Sequence, residues 1–455
     1  MFDSIYTLIE RGDLINAFSL ISVNLNQYPG NYELYFLLSV CYESFNPNQA
    51  FLCCENALFL CNEEEDIQPI SDRISYLKTQ YNITVSPVNI IIVSFNCFDM
   101  LKENITAIRS SLSENSYKII VVDNCSEAMV VDWLRFQPDI LLLANDNNVG
   151  FPSACNQGVN LGCEFGLSNN DIYLLNNDAL LTPQSLFWLR MGLYENGSIG
   201  ATGSISNRAG NRQGFDIELP SIEEYRKYGL IHNSFLFNPY EERIRLSGFS
   251  LLVKSKVWSE IGGMDTNFSP GYFEDDDLSM RIRQKGYGLL VCKNSFVYHA
   301  GSQSFSKISK CNDIILNNYQ RFINIYGFSL VDYADPIETL SSILPQDKNN
   351  RLVCLDIGSG FGANLQFIFE NYTNATIYGI EEDSAMRELS LMKKCIFPSI
   401  SDYISSPTKS LDYIFIRNKY DSLEEVLSPL ISSIKSTTKI YLYANDKLVG
   451  EITIH

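Results

Sequence analysis

A chain of 455 residues that is 45% hydrophobic and 19% charged has enough apolar material for two to four packed domains and too little charge to stay disordered. Its formal net charge of -19 excludes a general binder of nucleic acid or anionic lipid, but not a nucleotide held locally by backbone N–H groups and a metal. No apolar run approaches the roughly 18 residues of a membrane helix, the start Met1-Phe2-Asp3-Ser4 lacks a basic secretion signal, and the 12 cysteines include no Cys-x-x-Cys pair, so the expectation is a reduced, cytoplasmic protein.

Residues 1–84 read as helical. Ile5, Leu8 and Ile9, then Ala17, Leu20 and Ile21, recur at helical spacing. Asn16-Ala17-Phe18 returns as Gln49-Ala50-Phe51, 33 residues later, and Pro29-Gly30-Asn31 breaks the pattern between helices. This resembles a tetratricopeptide pair, which implies a docking surface for a protein partner or a second subunit. A plain helical hairpin capping the next domain fits the same pattern.

Residues 85–335 read as a second domain in which strands alternate with helices, the pattern of a parallel, doubly wound sheet. Val88–Ser94, Lys118–Asp123, Ile140–Leu143 and Ile172–Leu175 are the strands, and three of them run into polar residues: Asn96, Asp123-Asn124 and Asn176-Asn177-Asp178. Ligands of open α/β sheets bind at such carboxyl ends. A carboxylate flanked by amides suits a hard divalent cation shared with phosphate oxygens, and equally suits a polar turn. Glu274-Asp275-Asp276-Asp277 opens a helix, where carboxylates are favoured by the dipole.

Seven short motifs then follow one another over residues 88–305. They are Val93-Ser94-Phe95-Asn96, Val122-Asp123-Asn124-Cys125-Ser126, Asn148-x-Gly150 with Asn156-x-Gly158, and Asn176-Asn177-Asp178, followed by Ser247-Gly248-Phe249, Phe273–Leu278 with Arg281, and Val297-Tyr298-His299 with Ser302. Together they resemble an inverting family 2 glycosyltransferase with the GT-A fold, near the rhamnosyltransferase-like branch. The resemblance implies that Asp123 reads the N3–H of uracil or thymine, hence a UDP- or dTDP-sugar donor. It places Ser94 and Asn96 along base and ribose, and Asn148, Gly150 and Asn156 near ribose and diphosphate. Asn176, Asn177 and Gly248 complete the donor site. It makes Asp178 and His299 ligands of Mn2+ or Mg2+, Asp275 the general base, and Glu274 its neighbour orienting the acceptor. A turn role for Asp123 and a structural role for His299 stay open. Asn176 departs from the fuller Asp-x-Asp pattern and leaves the metal one charge short. Ser269–Tyr272 reads as a loop able to move over the donor. The implied acceptor is a hydroxyl of a bacterial surface glycan or of a protein such as a flagellin or adhesin. A scaffold that binds a nucleotide sugar without turnover is an alternative.

Residues 345–455 follow a polar linker. Arg351–Ile357 runs into Gly358-Ser359-Gly360-Phe361-Gly362, and Ile377–Ile380 ends at Glu381, the spacing at which an acid meets ribose hydroxyls. This resembles a reduced, Rossmann-like class I S-adenosylmethionine methyltransferase, with Asp356, Gly358, Gly360 and Glu381 matching its cofactor motifs. The expected sheet ends after a fifth strand. No motif for a methyl acceptor is visible, so the segment reads as a vestigial domain used for packing or dimerisation, with cofactor binding without transfer left open and a glycan-modifying methyltransferase as the competing function.

Overall fold

The computed structural model describes residues 2–113, 116–301, 311–406, 410–420 and 422–452. The chain forms two compact units, Met1–Asn318 and Tyr319–His455. The division falls inside the helix Cys311–Tyr326, whereas the linker read from composition lies at 340–350.

The first unit opens with helices Phe2–Glu10, Leu14–Gln27, Tyr32–Tyr42, Pro47–Leu60 and Glu64–Gln80. The 33-residue recurrence has a local cause. Asp13 and Asn46 cap the second and fourth helices by accepting the N–H of Asn16 and Gln49 at 3.4 and 3.2 Å, contacts that stabilise a helix start by about 1 kcal/mol. Ala17 and Ala50, one turn on, are fully buried. Part of this helical layer is occupied within the unit. Asn46 donates to the carbonyls of Tyr194 and Glu195, Gln49 to that of Met191, and Glu55 pairs with Arg190. The Tyr35 ring meets Phe187 edge-on at 5.3 Å. All these partners lie on or just beyond the helix Ser185–Leu193, every residue of which is buried.

Nine strands among the described residues form the first sheet: β1 Val88–Ser94, β2 Tyr117–Asp123, β3 Ile140–Ala144, β4 Asp171–Asn176, β5 Ala179–Leu181, β6 Ile199–Ile205, β7 Tyr240–Glu242, β8 Ser250–Val253 and β9 Gly288–His299. Their order is β3-β2-β1-β4-β8-β6-β9-β5, with β7 also on β9. The first four are parallel; β8 enters antiparallel between β4 and β6. The runs are β-branched because both faces are covered. Ile90 and Ile92 point into one core and Ile91 into the other.

β4 begins at Asp171, whose carboxylate accepts the Tyr194 hydroxyl at 2.6 Å and the Ser255 N–H at 3.1 Å. Burial pushes its pKa from 3.8 up to about 6. A folded value above the unfolded one means stability that is present below about pH 4 and lost as the pH rises through about 6. In urea titrations from about pH 4 to about pH 7, Asp171→Asn is expected to remove about 3 kcal/mol of that pH dependence. Asp356 of the second unit titrates in the same range, so the test is the difference between variant and wild type. An unchanged slope would show that Asp171 is already charged at low pH.

The second unit carries a six-stranded sheet among the described residues: β10 Val353–Ile357, β11 Thr376–Ile380, β12 Ile396–Phe397, β13 Leu411–Arg417, β14 Ile434–Ala444 and β15 Lys447–Ile452. The order is β12-β11-β10-β13-β14-β15, parallel except for β15 against β14. This corrects the expected end at five strands. Ala444-Asn445-Asp446-Lys447 turns the chain back, with Asn445 in the left-handed region, and the polar β15 shows little apolar signal.

Among the described residues no cysteine is in a disulfide, and Cys41, Cys53, Cys54, Cys155, Cys292 and Cys354 are buried. None of the described helices is long and apolar enough to cross a membrane.

Candidate active site

A cavity of about 500 Å³ opens at the carboxyl ends of β1, β2 and β4. Eight residues singled out in the sequence line it together: Asn148, Asn176, Asn177, Asp178, Gly248, Glu274, Asp275 and His299. Asn124 and the rings of Phe95, Phe151, Phe249, Tyr272 and Phe273 add to its wall.

Asp178 follows β4, and His299 ends β9, which reaches Asp178 because β5 pairs Ala179 with His299. The Asp178 Oδ1 and His299 Nε2 are 3.3 Å apart. His299 Nδ1 lies 2.6 Å from the Arg208 carbonyl oxygen. A carbonyl only accepts, so Nδ1 carries a proton and Nε2 is left facing the carboxylate. Such outer hydrogen bonds fix the tautomer of metal-ligating imidazoles. Two electron-pair donors that close require a shared cation or proton, and neighbouring ligands of octahedral Mg2+ stand about 3 Å apart. Asn176 Nδ2 approaches His299 Nε2 at 3.4 Å. Among the described residues no group of three or more His, Cys, Asp and Glu side chains gathers as a metal site. The pair therefore fits an ion that takes its other ligands from phosphate and water. Phe249 stacks on the imidazole at 5.0 Å, and Asn207 clamps the His299 backbone with both ends of its amide, at 2.9 and 3.1 Å.

Opposite stand Glu274 and Asp275, the first residues of the helix Glu274–Gln284. Asp275 accepts the Gly248 N–H through Oδ2 and the Asp276 N–H through Oδ1, both at 2.9 Å. Burial raises its pKa despite those bonds. Glu274 is raised well above its ordinary range, first by burial and then by Asp275. Its Oε2 has no partner among the described residues. Asp276 and Asp277 are tied structurally, to Arg245 at 3.3 Å and to Arg281 at 2.7 Å. Tyr272 and Phe273, just before the carboxylates, both sit in the left-handed region, with φ of 72° and 68°. Such backbone costs about 1–3 kcal/mol per residue and clusters at functional sites.

Ser94, Asn96 and Asp123, expected at the nucleobase, are not among the residues that line this cavity. Asp123 is fully buried. Its Oδ2 accepts the Ser126 N–H at 2.8 Å, a turn contact, while Oδ1 and the neighbouring Ser94 Oγ have no partner among the described residues. Asn96 is part of the same turn, donating its N–H to Ser126 Oγ and accepting the Glu127 N–H. Gly150 has φ 86° and no room for a Cβ, but the atoms in the way are Ser269 and Pro270 of this chain. Asn156 does not line the cavity; its amide holds the backbone of Met264 from both sides, at 2.8 and 2.9 Å. Ser302 of the last motif lies outside the described residues.

The loop 268–272 is anchored. Asn318 Nδ2 reaches the carbonyls of Phe268, Gly271 and Tyr272 at 2.8, 2.9 and 3.2 Å, and the Phe151 N–H donates to Pro270. No motif announces Asn318, one of several amides in a helix of mixed polarity; Asn207, and Asn104 with its bond to the Asn176 carbonyl, are equally silent. Asn318→Leu is expected to lower stability by about 2 kcal/mol, since buried carbonyls lose their donor. Because the freed loop leads into Asp275, kcat is expected to fall by up to about 10²-fold. Thermal unfolding and steady-state kinetics check both; an unchanged kcat would make Asn318 purely structural.

In the second unit Asp356, Gly358 and Gly360 end β10 and its turn, and Glu381 follows β11. Asp356 is bound by the Tyr443 hydroxyl and the Asn364 amide.

Residues 89–215 match the family model described as Glycosyl transferase family 2. Among solved structures the chain is similar to a crystal structure of GalNAc-T7 with UDP, GalNAc and Mn2+, at 15% identity and a TM-score of 0.42. That alignment covers 57% of this chain and 52% of the other, so the chain spans about half the length of that protein. It is also similar to the mannosyltransferase PcManGT from Pyrobaculum calidifontis in complex with GDP-Man and Mn2+, at 14% identity and a TM-score of 0.38, covering 61% and 76%. No curated protein matches the chain.

Proposed function

We propose that the glycosyltransferase domain marked by residues 89–215, completed by the elements up to β9, is a metal-dependent inverting transferase that moves a sugar from a UDP- or dTDP-sugar to a hydroxyl of a glycan or protein. One observation carries this reading: the converging pair Asp178–His299 lines the same cavity as the buried Glu274 and the half-buried Asp275.

The division of labour follows from the atoms. Asp178 and His299 would hold Mn2+ or Mg2+, which when bound neutralises charge developing on a leaving diphosphate. Asp123 Oδ1, with an open lone pair, would accept an imide N–H, and Ser94 Oγ stands beside it. Asp275, with its raised pKa, takes the proton of the acceptor hydroxyl as that oxygen attacks the anomeric carbon. Direct displacement from the face opposite the diphosphate inverts the centre. Glu274, holding its proton, neither competes as a base nor repels Asp275. The helical segment 1–84 supports the Ser185–Leu193 helix and leaves its other faces for an acceptor or a partner.

Thermal unfolding with UDP, dTDP or GDP, each with and without Mn2+, tests the reading. A ligand at about 100 times its Kd adds roughly 2.7 kcal/mol. The expected result is a rise with UDP or dTDP that needs Mn2+. No rise with any nucleotide, or one indifferent to metal, would remove the donor assignment.

A further inference from the structure

The glycine-rich turn after β10 has the sequence of a nucleoside-cofactor cradle, yet its own chain fills it. We infer that this cradle is an internal lock rather than an S-adenosylmethionine site. It holds the helix Leu330–Tyr333 and the end of β13 against the sheet.

Three observations carry the inference. First, Glu381 is 1% exposed and its oxygens are engaged: Oε2 accepts the Gly360 N–H at 2.9 Å, and Oε1 accepts the Asp383 N–H at 3.1 Å and pairs with Lys419 at 3.3 Å. A ribose diol has no route to it. Second, the space above the glycines is taken. A Cβ on Gly360 would stand 2.7 Å from the Tyr333 ring, and one on Gly358 would stand 2.9 Å from Arg417 Cβ and 3.0 Å from Lys419 Cε. Where less than a methyl group fits, a cofactor does not. Third, the cations are built in. The Arg417 guanidinium lies between the Tyr333 and Tyr443 rings, 4.3 and 4.7 Å from their centroids. It donates to the carbonyls of Gly358 and Asp332 at 2.8 and 2.5 Å. Stacked, hydrogen-bonded and 6% exposed, it is not a free surface group. S-adenosylmethionine carries a sulfonium cation, which Arg417 and Lys419 would repel. The residues present therefore do not fit the cofactor that the motif implies.

Calorimetric titration of the full chain with S-adenosylmethionine and S-adenosylhomocysteine, beside thermal unfolding of Tyr333→Ala, Tyr333→Phe and Lys419→Met, tests the lock. The wild type is expected to give no saturable binding of either compound. Tyr333→Ala is expected to lower the unfolding temperature by several degrees, and Tyr333→Phe, which keeps the ring under Arg417, to restore most of it. Binding that appears only in Tyr333→Ala or Lys419→Met would also support the lock. Saturable binding by the wild type that Glu381→Gln abolishes would overturn it, as would a Tyr333→Ala protein as stable as the wild type. None of the substituted residues lines the Asp178–His299 cavity, so the lock and the transferase reading stand or fall separately.

Discussion

Replacing Asp275 by Asn is expected to lower kcat by about 10²–10⁴-fold, the range that a positioned general base contributes. Both carboxylate oxygens are fixed by backbone N–H groups, so the side chain cannot turn away from the cavity. The amide keeps the volume but loses the basic lone pair and one of the two backbone contacts, so the donor KM should change little while stability falls by about 1 kcal/mol. The wild-type pH profile carries a second signature. Asp275 must be ionised to accept a proton, and burial raises its pKa. Activity should therefore fall as the pH drops, with the acid limb of kcat/KM displaced upward from that of an exposed aspartate. Glu274 is raised well above its ordinary range by burial and by Asp275, the direction that favours its protonated form. Glu274→Gln should therefore leave that limb in place while changing acceptor KM. An Asp275→Asn enzyme with wild-type kcat would end the base assignment; a limb that moved with Glu274→Gln would show the pair sharing one proton more evenly.

The cavity was legible in the sequence because strand ends are. An apolar run that stops at Asn176-Asn177-Asp178 or Asp123-Asn124 declares both a strand and its polar rim. The carboxylates of the Glu274–Gln284 helix were legible in the same way. What periodicity could not show was which polar atoms the protein uses on itself. Asn156 looks like a donor ligand in sequence, but its amide is closed on Met264. Gly150 signals a close approach, and the approaching atoms are Ser269 and Pro270. The loop 269–272 reads as movable from its Ser-Pro-Gly composition, yet an amide some 46 residues on in the chain anchors it. Glu381 repeats the lesson in the second unit: its spacing suits a ribose, and Lys419 takes the place. Long-range partners of single polar residues leave no pattern, and those partners decide whether a motif is open.

Removing either member of the Asp178–His299 pair is expected to weaken Mn2+-dependent nucleotide binding and to lower kcat/KM by about 10²-fold or more, since a metal contributes several kcal/mol to such a reaction. The two side chains should not be equivalent. Asp178 brings the charge, and with Asn176 in place of a second acid no neighbour on that turn replaces it. His299 brings a neutral donor whose orientation is set by the Arg208 carbonyl and Phe249. His299→Ala should therefore recover part of its loss at high Mn2+, while Asp178→Ala should not. The double variant should be little worse than Asp178→Ala alone, because residues that act through one ion are strongly non-additive. Asn176→Asp should strengthen Mn2+ binding by restoring the missing charge, readable as a lower Mn2+ concentration at half-maximal activity. The competing reading is a plain ion pair, with a protonated imidazole beside the carboxylate. It predicts additive losses of stability and nucleotide binding that ignores Mn2+. The separation of 3.3 Å is compatible with both, and the double variant tells them apart.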